Sequence, residues 1–463
     1  MKKYLYMMLL VVFSAACSAE FLNLQPNEAL PTENAIQSID DLTSAIIGVY
    51  SGLQSSDHYG RYFVLVPDVM SDDVKQNASA NRAKEYAEFE AFSEHFITQN
   101  MWARLYSTIN RANVVINNTL EVTDAAQDEK SQIEGEAYAI RALCHFDLVR
   151  IYGQHYGFTG DNSHLGVPII TEFDEDGEPS RNTVAQVYQQ VISDLTTAID
   201  KMGDDFSSTR MSKVAAQALL ARVNLYMGEY AAAANLADAV ISSGEVGLGT
   251  SGDYLDSWAN GTSPDPIFEI SYSANDNNGS DALGRMYIID GYGDYLPSAD
   301  LLNLIDTADL RSNLFKFDGN LGGIFGDLRV DKFPSVIGTD NFPVIRLSEI
   351  YMIRAEARYR TGNETGAQAD VDAIRQRAWP TAAAVTATGT ALLDEIEKEK
   401  RVELMFEGHR LWDLMRWQRG VTRTDCTAPT SACDVAYPND RFILPMPQNE
   451  IDANPNIAQN PGY

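Results

Sequence analysis

Hydrophobic positions recur at helical spacing through most of the chain, and the stretch that follows Thr183 shows this most clearly. Thr183 and Gln186 have the spacing of a capping box, which marks a helix start, and Gly203 stands where a helix can end. Between them, apolar residues follow one stripe with a period of about 3.6 residues. The stripe consists of Val184, Val187, Tyr188, Val191, Ile192, Leu195, Ala198, Ile199 and Met202. This pattern predicts a helix that packs one face against a core.

The same periodicity predicts helices in other segments, so we expect a mainly α-helical protein. The segments are residues 35–53, 98–118, 130–152, 212–227, 230–242, 346–360, 364–378 and 391–418, the last broken near Gly408.

Two of the predicted helix pairs are related in sequence. Ala221–Ala233 (ARVNLYMGEYAAA) aligns with Ala355–Ala367 (AEARYRTGNETGA), so that small residues and the turn glycines Gly228 and Gly362 coincide. Arg141–Gly153 (RALCHFDLVRIYG) ends in the same way. Small residues where helices cross, with glycine at the turn, are typical of stacked helical hairpins. We interpret these segments as degenerate tetratricopeptide repeats.

Two segments depart from the helical pattern, residues 54–95 and residues 244–343. The second is rich in Gly, Asp, Asn and Tyr, and only Ile267–Tyr272 within it is predicted as a strand. Loops of such length are uncommon unless they carry function. The glycines of residues 247–252 match the spacing of a dinucleotide-binding motif. Because no strand precedes them and no helix is predicted to begin there, we interpret them as a flexible turn.

The chain begins with the features of an export signal. Met1–Lys3 is cationic, Tyr4–Phe13 is apolar, and the small residues Ser14–Ala16 precede Cys17. The apolar run is too short for a permanent membrane span, and the position of Cys17 resembles a bacterial lipobox, in which the thiol is lipidated. We therefore expect a signal peptide over residues 1–16 and a lipid on Cys17 that tethers a soluble body outside the cytoplasm. The alternative is an ordinary signal peptide that precedes a cysteine by chance.

The other three cysteines have different expected roles. Cys144 lies in an apolar helical stretch, which favours a buried free thiol. Cys426 and Cys433 enclose a short polar loop, and in an exported protein this spacing favours a disulfide.

The net charge of the chain argues against two classes of binding partner. The chain has 35 Lys and Arg residues against 65 Asp and Glu residues, a formal net charge of −30. Nucleic acids and anionic lipid surfaces both require a cationic surface, so we expect neither as a partner. The same excess weakly favours a neutral glycan over a polyanionic one.

We find no motif that is typical of an enzyme, a metal site or a cofactor site. The chain has no HExxH, GxSxG or P-loop sequence, and its six histidines are scattered without metal-ligand spacing. The oxygen-rich stretch Asp276–Asp281 lacks the glycine and the distal glutamate of an EF-hand, and we interpret it as a solvated turn. Acidic pairs are too numerous for any one to be chosen as a catalytic couple.

Aromatic residues in the two loop segments are the best candidates for a ligand site. Flat aromatic faces stack on the apolar faces of sugar rings, while short polar side chains bind the hydroxyls. The candidate residues are Asp73, Asn81, Arg82 and Tyr86 in the first segment, and Asn275, Arg285, Tyr287, Tyr292 and Tyr295 in the second. We expect an accessible hollow beside the second segment. The alternative is that these tyrosines pack the loops onto the helical body.

Several segments together resemble the SusD/RagB-like family of outer-membrane nutrient-binding lipoproteins, and they occur in the family's order. They are Phe21–Asn23, Leu42–Leu53 (LTSAIIGVYSGL), Val344–Arg360 (VIRLSEIYMIRAEARYR), Glu397–Trp417 (EKEKRVELMFEGHRLWDLMRW) and Asn454–Tyr463 (NPNIAQNPGY). The charged residues of these helices should pair inside the protein, because a buried charge needs a partner. We therefore assign the shared motifs to the scaffold rather than to the ligand site.

The resemblance implies a body with about four tetratricopeptide-like helix pairs and a loop-rich variable part. The corresponding division is an N-terminal helical part (17–245), a variable insertion (246–343) and a C-terminal helical part (344–463). The resemblance also implies a non-enzymatic lipoprotein at the outer-membrane surface. Such a protein captures oligosaccharide or polysaccharide and delivers it to a SusC-like TonB-dependent transporter. The family's ligand contacts vary, so no site residue is carried over.

Two other functions remain open. A tetratricopeptide-type scaffold would bind protein segments on its concave helical face. A glycan-active enzyme would place two carboxylates about 5–10 Å apart across a cleft.

Overall fold

The computed structural model of the protein describes residues 36–77, 80–172, 174, 177–319, 328–427 and 432–463. The predicted signal peptide (1–16), Cys17 and Phe21–Asn23 lie outside these residues. None of the helices formed by the described residues has both the length and the apolar composition needed to cross a membrane.

Helices form most of the regular structure. They are α1 (Ile39–Gln54), α2 (Tyr62–Val69), α3 (Lys84–Ala87), α4 (Phe96–Asn118), α5 (Gln127–Tyr152), α6 (Val184–Lys201), α7 (Lys213–Met227), α8 (Tyr230–Ser243), α9 (Ser251–Ala259), α10 (Ala299–Leu302), α11 (Leu347–Arg360), α12 (Glu364–Ala378), α13 (Thr390–Glu403), α14 (Arg410–Arg416) and α15 (Gln448–Ala453).

The long helices pack side by side in one row. Each of α4, α5, α6 and α7 contacts the helix that follows it in the chain. The row continues from α8 to α11, although the insertion separates these two helices in sequence, and then to α12 and α13. Stacked helical hairpins have this arrangement. The expected mainly α-helical, tetratricopeptide-like fold is therefore confirmed.

Particular residues set the ends of these helices, as the sequence predicted in most cases. The Thr183 hydroxyl accepts a hydrogen bond from the Gln186 amide, and the Gln186 side chain accepts one from the Thr183 amide, which completes a capping box. The turn glycines Gly228 and Gly362 have φ angles of 77° and 86°, a conformation that favours glycine. Gly153 differs, because its φ is −123° and its backbone is extended.

Among the described residues, five helices form where none was predicted, α2, α3, α9, α10 and α15, and α2 and α9 are the longest of them. Every residue of α2 is buried, and its sequence is apolar except at Asp68, so it has no amphipathic period that could reveal a helix. Helix α9 begins at Ser251, where the side chains of Thr250 and Asp253 form a capping box. The interpretation of residues 247–252 as a turn in which no helix begins is therefore wrong.

Short strands connect the insertion to the rest of the molecule. The strands are β1 (Val74–Gln76), β2 (Pro266–Ile270), β3 (Tyr295–Pro297), β4 (Phe315–Phe317), β5 (Leu328–Val330), β6 (Phe342–Arg346), β7 (Val421–Thr422) and β8 (Asp434–Val435). The antiparallel pairs are β1 with β3, β2 with β6, β4 with β5 and β7 with β8. The predicted strand over 267–272 is observed as β2. The pairing of β1 with β3 joins the two loop segments that hold the candidate site residues.

Arg346, Glu349 and Glu356 of the α11 region are buried, Arg354 is half-buried, and all four pair with another element as expected. Arg346 contacts Glu403 at 2.9 Å and Glu407 at 2.7 Å, both near the end of α13. Glu349 pairs with Arg222 of α7 at 2.6 Å. The remaining pairs are Arg354 with Asp370 and Glu356 with Arg416. These ion pairs hold the shared sequence motifs inside the scaffold.

The cysteines within the described residues take two forms. Cys426 and Cys433 are joined by a disulfide with an S–S distance of 2.07 Å. Cys144 is a buried free thiol on α5, and burial raises its pKa well above the usual value.

Candidate functional site

Three of the predicted stacking residues, Tyr86, Tyr287 and Tyr295, are buried, with at most 1% of each exposed. Their hydroxyls are hydrogen-bonded inside the protein, to Thr98 at 2.7 Å, to Asp68 at 3.4 Å and to the carbonyl of Arg82, respectively. The structure corrects the expectation that these rings stack on a ligand, because their faces pack within the core. They support the loops instead.

Asp73 is also part of the scaffold. It is 1% exposed, and its carboxylate accepts a hydrogen bond from Arg401 of α13 at 2.6 Å. The pair leaves no accessible oxygen with which Asp73 could bind a sugar hydroxyl. The expectation that Asp73 contacts ligand is therefore corrected as well.

Tyr292 is the predicted tyrosine that remains partly exposed. The guanidinium carbon of Arg82 lies 3.4 Å from the centroid of its ring, which is cation–π stacking. Arg82 is itself fixed by Asp294, to which its Nη1 donates at 3.1 Å. The Arg82 guanidinium thus covers one face of the Tyr292 ring, and Asp294 holds the guanidinium in place. This contact brings together residues of both loop segments.

The other predicted polar residues have different positions relative to Tyr292. Arg285 lies 5.4 Å from the Tyr292 ring centroid, and its Nη1 donates to the carbonyl oxygens of Asp290 and Val336. Asn81 is exposed beside Arg82. Asn275 is exposed in a turn, and no contact joins it to Tyr292 among the described residues. The predicted set therefore does not converge on one point.

A second group of exposed aromatic rings lies at the start of α4, and the sequence analysis did not select it. Phe92 and Phe96 are 44% and 54% exposed. The ring of His95 lies between them, 5.2 Å from Phe92 and 4.9 Å from Phe96. Phe96 also packs edge-on against Tyr62, at 5.9 Å between centroids. Exposed apolar side chains that lie together in a patch often mark binding sites.

The two groups are connected through the segment that carries Arg82. Tyr86 lies one turn after Arg82, and its hydroxyl contacts Nδ1 of His95 at 3.0 Å. Burial raises the pKa of the Tyr62 phenol, and the charge of Arg61, which stacks on its ring, partly opposes this rise. We define the aromatic surface as Arg82, Phe92, His95, Phe96 and Tyr292; Tyr62, which packs against Phe96, is buried.

Charges on and beside the aromatic surface are mostly paired. Arg61 stacks on Tyr62 and contacts Asp281 at 2.8 Å, as Arg82 contacts Asp294. Burial lowers the pKa of His95, and the nearby Glu85 carboxylate only partly opposes this shift. His95 is therefore neutral at pH 7. The result is a polar, aromatic surface with little net charge in a strongly acidic protein.

Two cavities lie away from the rings of the aromatic surface. One of about 530 Å³ lies between α4 and the residues that precede α6, and it includes Trp102 and Tyr106. Another of about 350 Å³ lies beside the insertion, between Asp306 and Trp379. The expected hollow beside the insertion is therefore present, but it contains none of the predicted residues. The aromatic surface is open rather than enclosed.

Comparison with known proteins gives a consistent assignment. Residues 20–225 match a family described as starch-binding and associating with the outer membrane, and residues 335–463 match the SusD family. A SusD superfamily structure from Bacteroides thetaiotaomicron superposes with a TM-score of 0.86 and 30% identity, over 92% of this chain and 100% of that chain. This chain belongs to the SusD family.

Other SusD relatives cover nearly the whole chain. A structure from Bacteroides vulgatus, provisionally named a sugar-binding protein, has a TM-score of 0.85 and 31% identity, over 93% of this chain and 100% of that one. SusD-like protein P38 of Formosa agariphila is 24% identical and covers 96% of this chain and 95% of its own. Neither family match includes residues 226–334, where Tyr292 lies. The two matches thus include the first loop segment, 54–95, and leave out α8 and most of the insertion.

Proposed function

We propose that this protein binds oligosaccharide or polysaccharide on the aromatic surface. The observations that carry the proposal are the partly exposed Tyr292 ring, fixed by Arg82 and Asp294, and the exposed rings of Phe92 and Phe96. A sugar ring offers an apolar face to such rings and hydroxyls to the polar groups around them. Membership of the SusD family supports this choice of ligand class.

The charges favour a neutral glycan. Arg61 and Arg82 already have carboxylate partners, and the −30 net charge of the chain repels polyanions. An uncharged saccharide would meet hydrogen-bonding groups without disturbing these pairs. An open surface also permits internal segments of a long chain to bind, whereas a closed pocket would select for chain ends.

The proposed biological role is capture and delivery. The protein would be lipidated at Cys17, displayed on the outer-membrane surface, and would hand its ligand to a SusC-like TonB-dependent transporter without catalysing any reaction. The division into 17–245, 246–343 and 344–463 remains part of this proposal. Release to a transporter requires modest affinity, with a Kd of roughly μM to mM.

The test uses the mature protein on native gels that contain a panel of neutral and acidic polysaccharides, with reducing-end release measured in parallel. Retardation by a neutral polysaccharide without product supports the proposal. Product formation would identify a glycan-active enzyme. Absence of retardation across the panel, together with capture of a peptide on the helical face, would support the protein-binding scaffold instead.

Delivery and anchoring have separate tests. Cys17→Ser should release the protein from the membrane fraction and remove labelling by a palmitate analogue. Cross-linking in intact cells should join the wild-type protein to a TonB-dependent transporter. Retention of Cys17→Ser in the outer membrane with unchanged labelling would contradict the lipid anchor.

A further inference from the structure

The small sheet of β1 and β3 carries the groups that fix Arg82. In this sheet Val74 lies opposite Pro297, and Gln76 lies opposite Tyr295. Just beyond the pair of Gln76 and Tyr295, the Asn77 amide donates to the Asp294 carbonyl at 2.7 Å. Asp294 then holds Arg82 against Tyr292. The position of this stacked pair therefore depends on the register of β1 and β3.

A C-terminal segment, residues 423–427, holds both strands of this sheet. We call it the clamp. The carboxylate Oδ2 of Asp425 accepts from Lys75 Nζ at 2.6 Å and from the Ala299 amide at 2.9 Å. One oxygen thus connects β1 to the residue that lies two positions after β3. Thr427 adds a hydrogen bond from its hydroxyl to the carbonyl of Gln76 at 2.6 Å.

The clamp also reaches the segment that contains Arg82. The buried guanidinium of Arg423 donates to the carbonyls of Val69 and Ala87 at 2.7 Å each, and to that of Ser71 at 2.9 Å. Ala87 ends α3, five residues after Arg82. A single C-terminal side chain therefore fixes the backbone on both sides of β1.

The disulfide closes the clamp. Cys426 lies inside it and is bonded to Cys433, while the backbone amide of Arg423 donates to the Cys433 carbonyl at 2.8 Å. The pairing of β7 with β8 flanks this bond. The disulfide adds a covalent constraint to these hydrogen bonds and so limits how far the segment around Asp425 can move from the sheet.

We propose that the disulfide-closed clamp is a positioning element for the aromatic surface. It acts through the register of β1 and β3, and its residues do not touch the glycan. The inference rests on the proposed function, since it assigns a role in glycan binding to residues outside the surface. It predicts that loss of the clamp loosens Asp294, Arg82 and Tyr292 while the helical row stays intact.

The first test is Asp425→Asn, which removes the ion pair with Lys75 but keeps an oxygen for the Ala299 amide. The second is the double variant Cys426→Ser/Cys433→Ser. Both should raise hydrogen exchange at residues 74–77 and 292–297, with α5 to α8 unchanged. Affinity for the retarding polysaccharide should fall by about tenfold, which equals about 1.4 kcal/mol.

The matched control is Lys201→Met, which breaks an ion pair of similar exposure between Lys201 and Glu134, 2.8 Å apart on α6 and α5. It should lower stability slightly and leave exchange at 292–297 and affinity unchanged. Unchanged exchange at 74–77 and 292–297 in both clamp variants would overturn the proposal. So would unchanged affinity. If the wild-type protein binds no glycan, the proposed function fails, while the exchange data still decide whether the clamp positions these residues.

Discussion

Arg82 covers one face of Tyr292, with the guanidinium carbon 3.4 Å from the ring centroid and Nη1 3.1 Å from Asp294. The stacked pair joins the two loop segments at the surface of a helical scaffold. Because Asp294 is buried, Arg82 cannot move away without leaving a carboxylate unpaired. The ring is therefore held in a fixed orientation before any ligand arrives, which lowers the entropy cost of binding.

Tyr292→Ala should weaken glycan binding by about tenfold, since it removes the stacking face. Tyr292→Phe should keep most of the affinity, because it retains the ring. The free energy of unfolding should change little in both, since the side chain is only partly buried. Affinity electrophoresis measures the first effect and urea unfolding the second. Equal losses of affinity in the two variants would show that the hydroxyl, rather than stacking, binds the ligand.

Tyr287→Ala should act on stability instead. Tyr287 is 1% exposed and packs edge-on against Phe406 at 5.4 Å. Removal of such a buried ring typically costs about 3–5 kcal/mol. Urea unfolding should show this loss, and the fraction that remains folded should bind glycan as the wild type does. A strong loss of affinity without loss of stability would return Tyr287 to the ligand site.

Phe96→Ala should reduce affinity without reducing stability. Phe96 is 54% exposed, so its truncation removes a stacking face and little core packing. Phe317 provides a matched control, because it is 67% exposed on β4 and is not part of the aromatic surface. Phe317→Ala should bind as the wild type does. Equal retardation of Phe96→Ala and Phe317→Ala in the same gel would remove Phe96 from the site.

Acid should destabilise the protein partly through Glu356. Burial would raise the pKa of this carboxyl, but the adjacent Arg416 outweighs burial and lowers it from 4.5 to about 2. A carboxyl whose pKa is lowered by folding stabilises the folded state above pH 4.5. This contribution, about 3 kcal/mol, is lost as the pH falls from 4.5 to 2.

Glu356→Gln isolates this contribution. The variant should be less stable than the wild type at pH 7 by about 3 kcal/mol, because the buried Arg416 loses its bidentate partner and keeps only Asp413, at 2.8 Å. The difference should shrink as the pH falls towards 2, where the wild-type carboxyl is also neutral. Urea unfolding at several pH values measures both trends. A difference that stays constant from pH 7 to pH 2 would contradict the assigned pKa.

The scaffold could be predicted from the sequence because its signals are local. Helical periodicity and the capping box at Thr183 each depend on neighbouring residues, and they placed α6 correctly. Helix α2 was not predicted, because its sequence is apolar at every position except Asp68 and so shows no helical period of hydrophobic residues. Helix α9 was not predicted, because the glycines around its start indicated a turn. The capping-box residues Thr250 and Asp253 were nevertheless visible in the sequence.

The candidate site was harder to predict, because burial is decided by distant contacts. Nothing near Tyr287, Tyr292 and Tyr295 in the sequence shows that only Tyr292 stays partly exposed. That outcome follows from the pairing of β3 with β1, whose residues lie more than 200 positions earlier. Phe96 was not selected because it lies between the loop segment 54–95 and the predicted helix 98–118, whereas the observed helix begins at Phe96 itself.

The most direct test of glycan binding on the aromatic surface compares the double variant Phe96→Ala/Tyr292→Ala with the wild type. Both proteins are titrated with a neutral polysaccharide that retards the wild type. Circular dichroism should first show equal helix content and similar unfolding curves. We predict that the affinity of the folded double variant for the polysaccharide is lower by about a hundredfold or more, and that neither protein releases reducing ends. Wild-type affinity in the double variant would contradict this prediction.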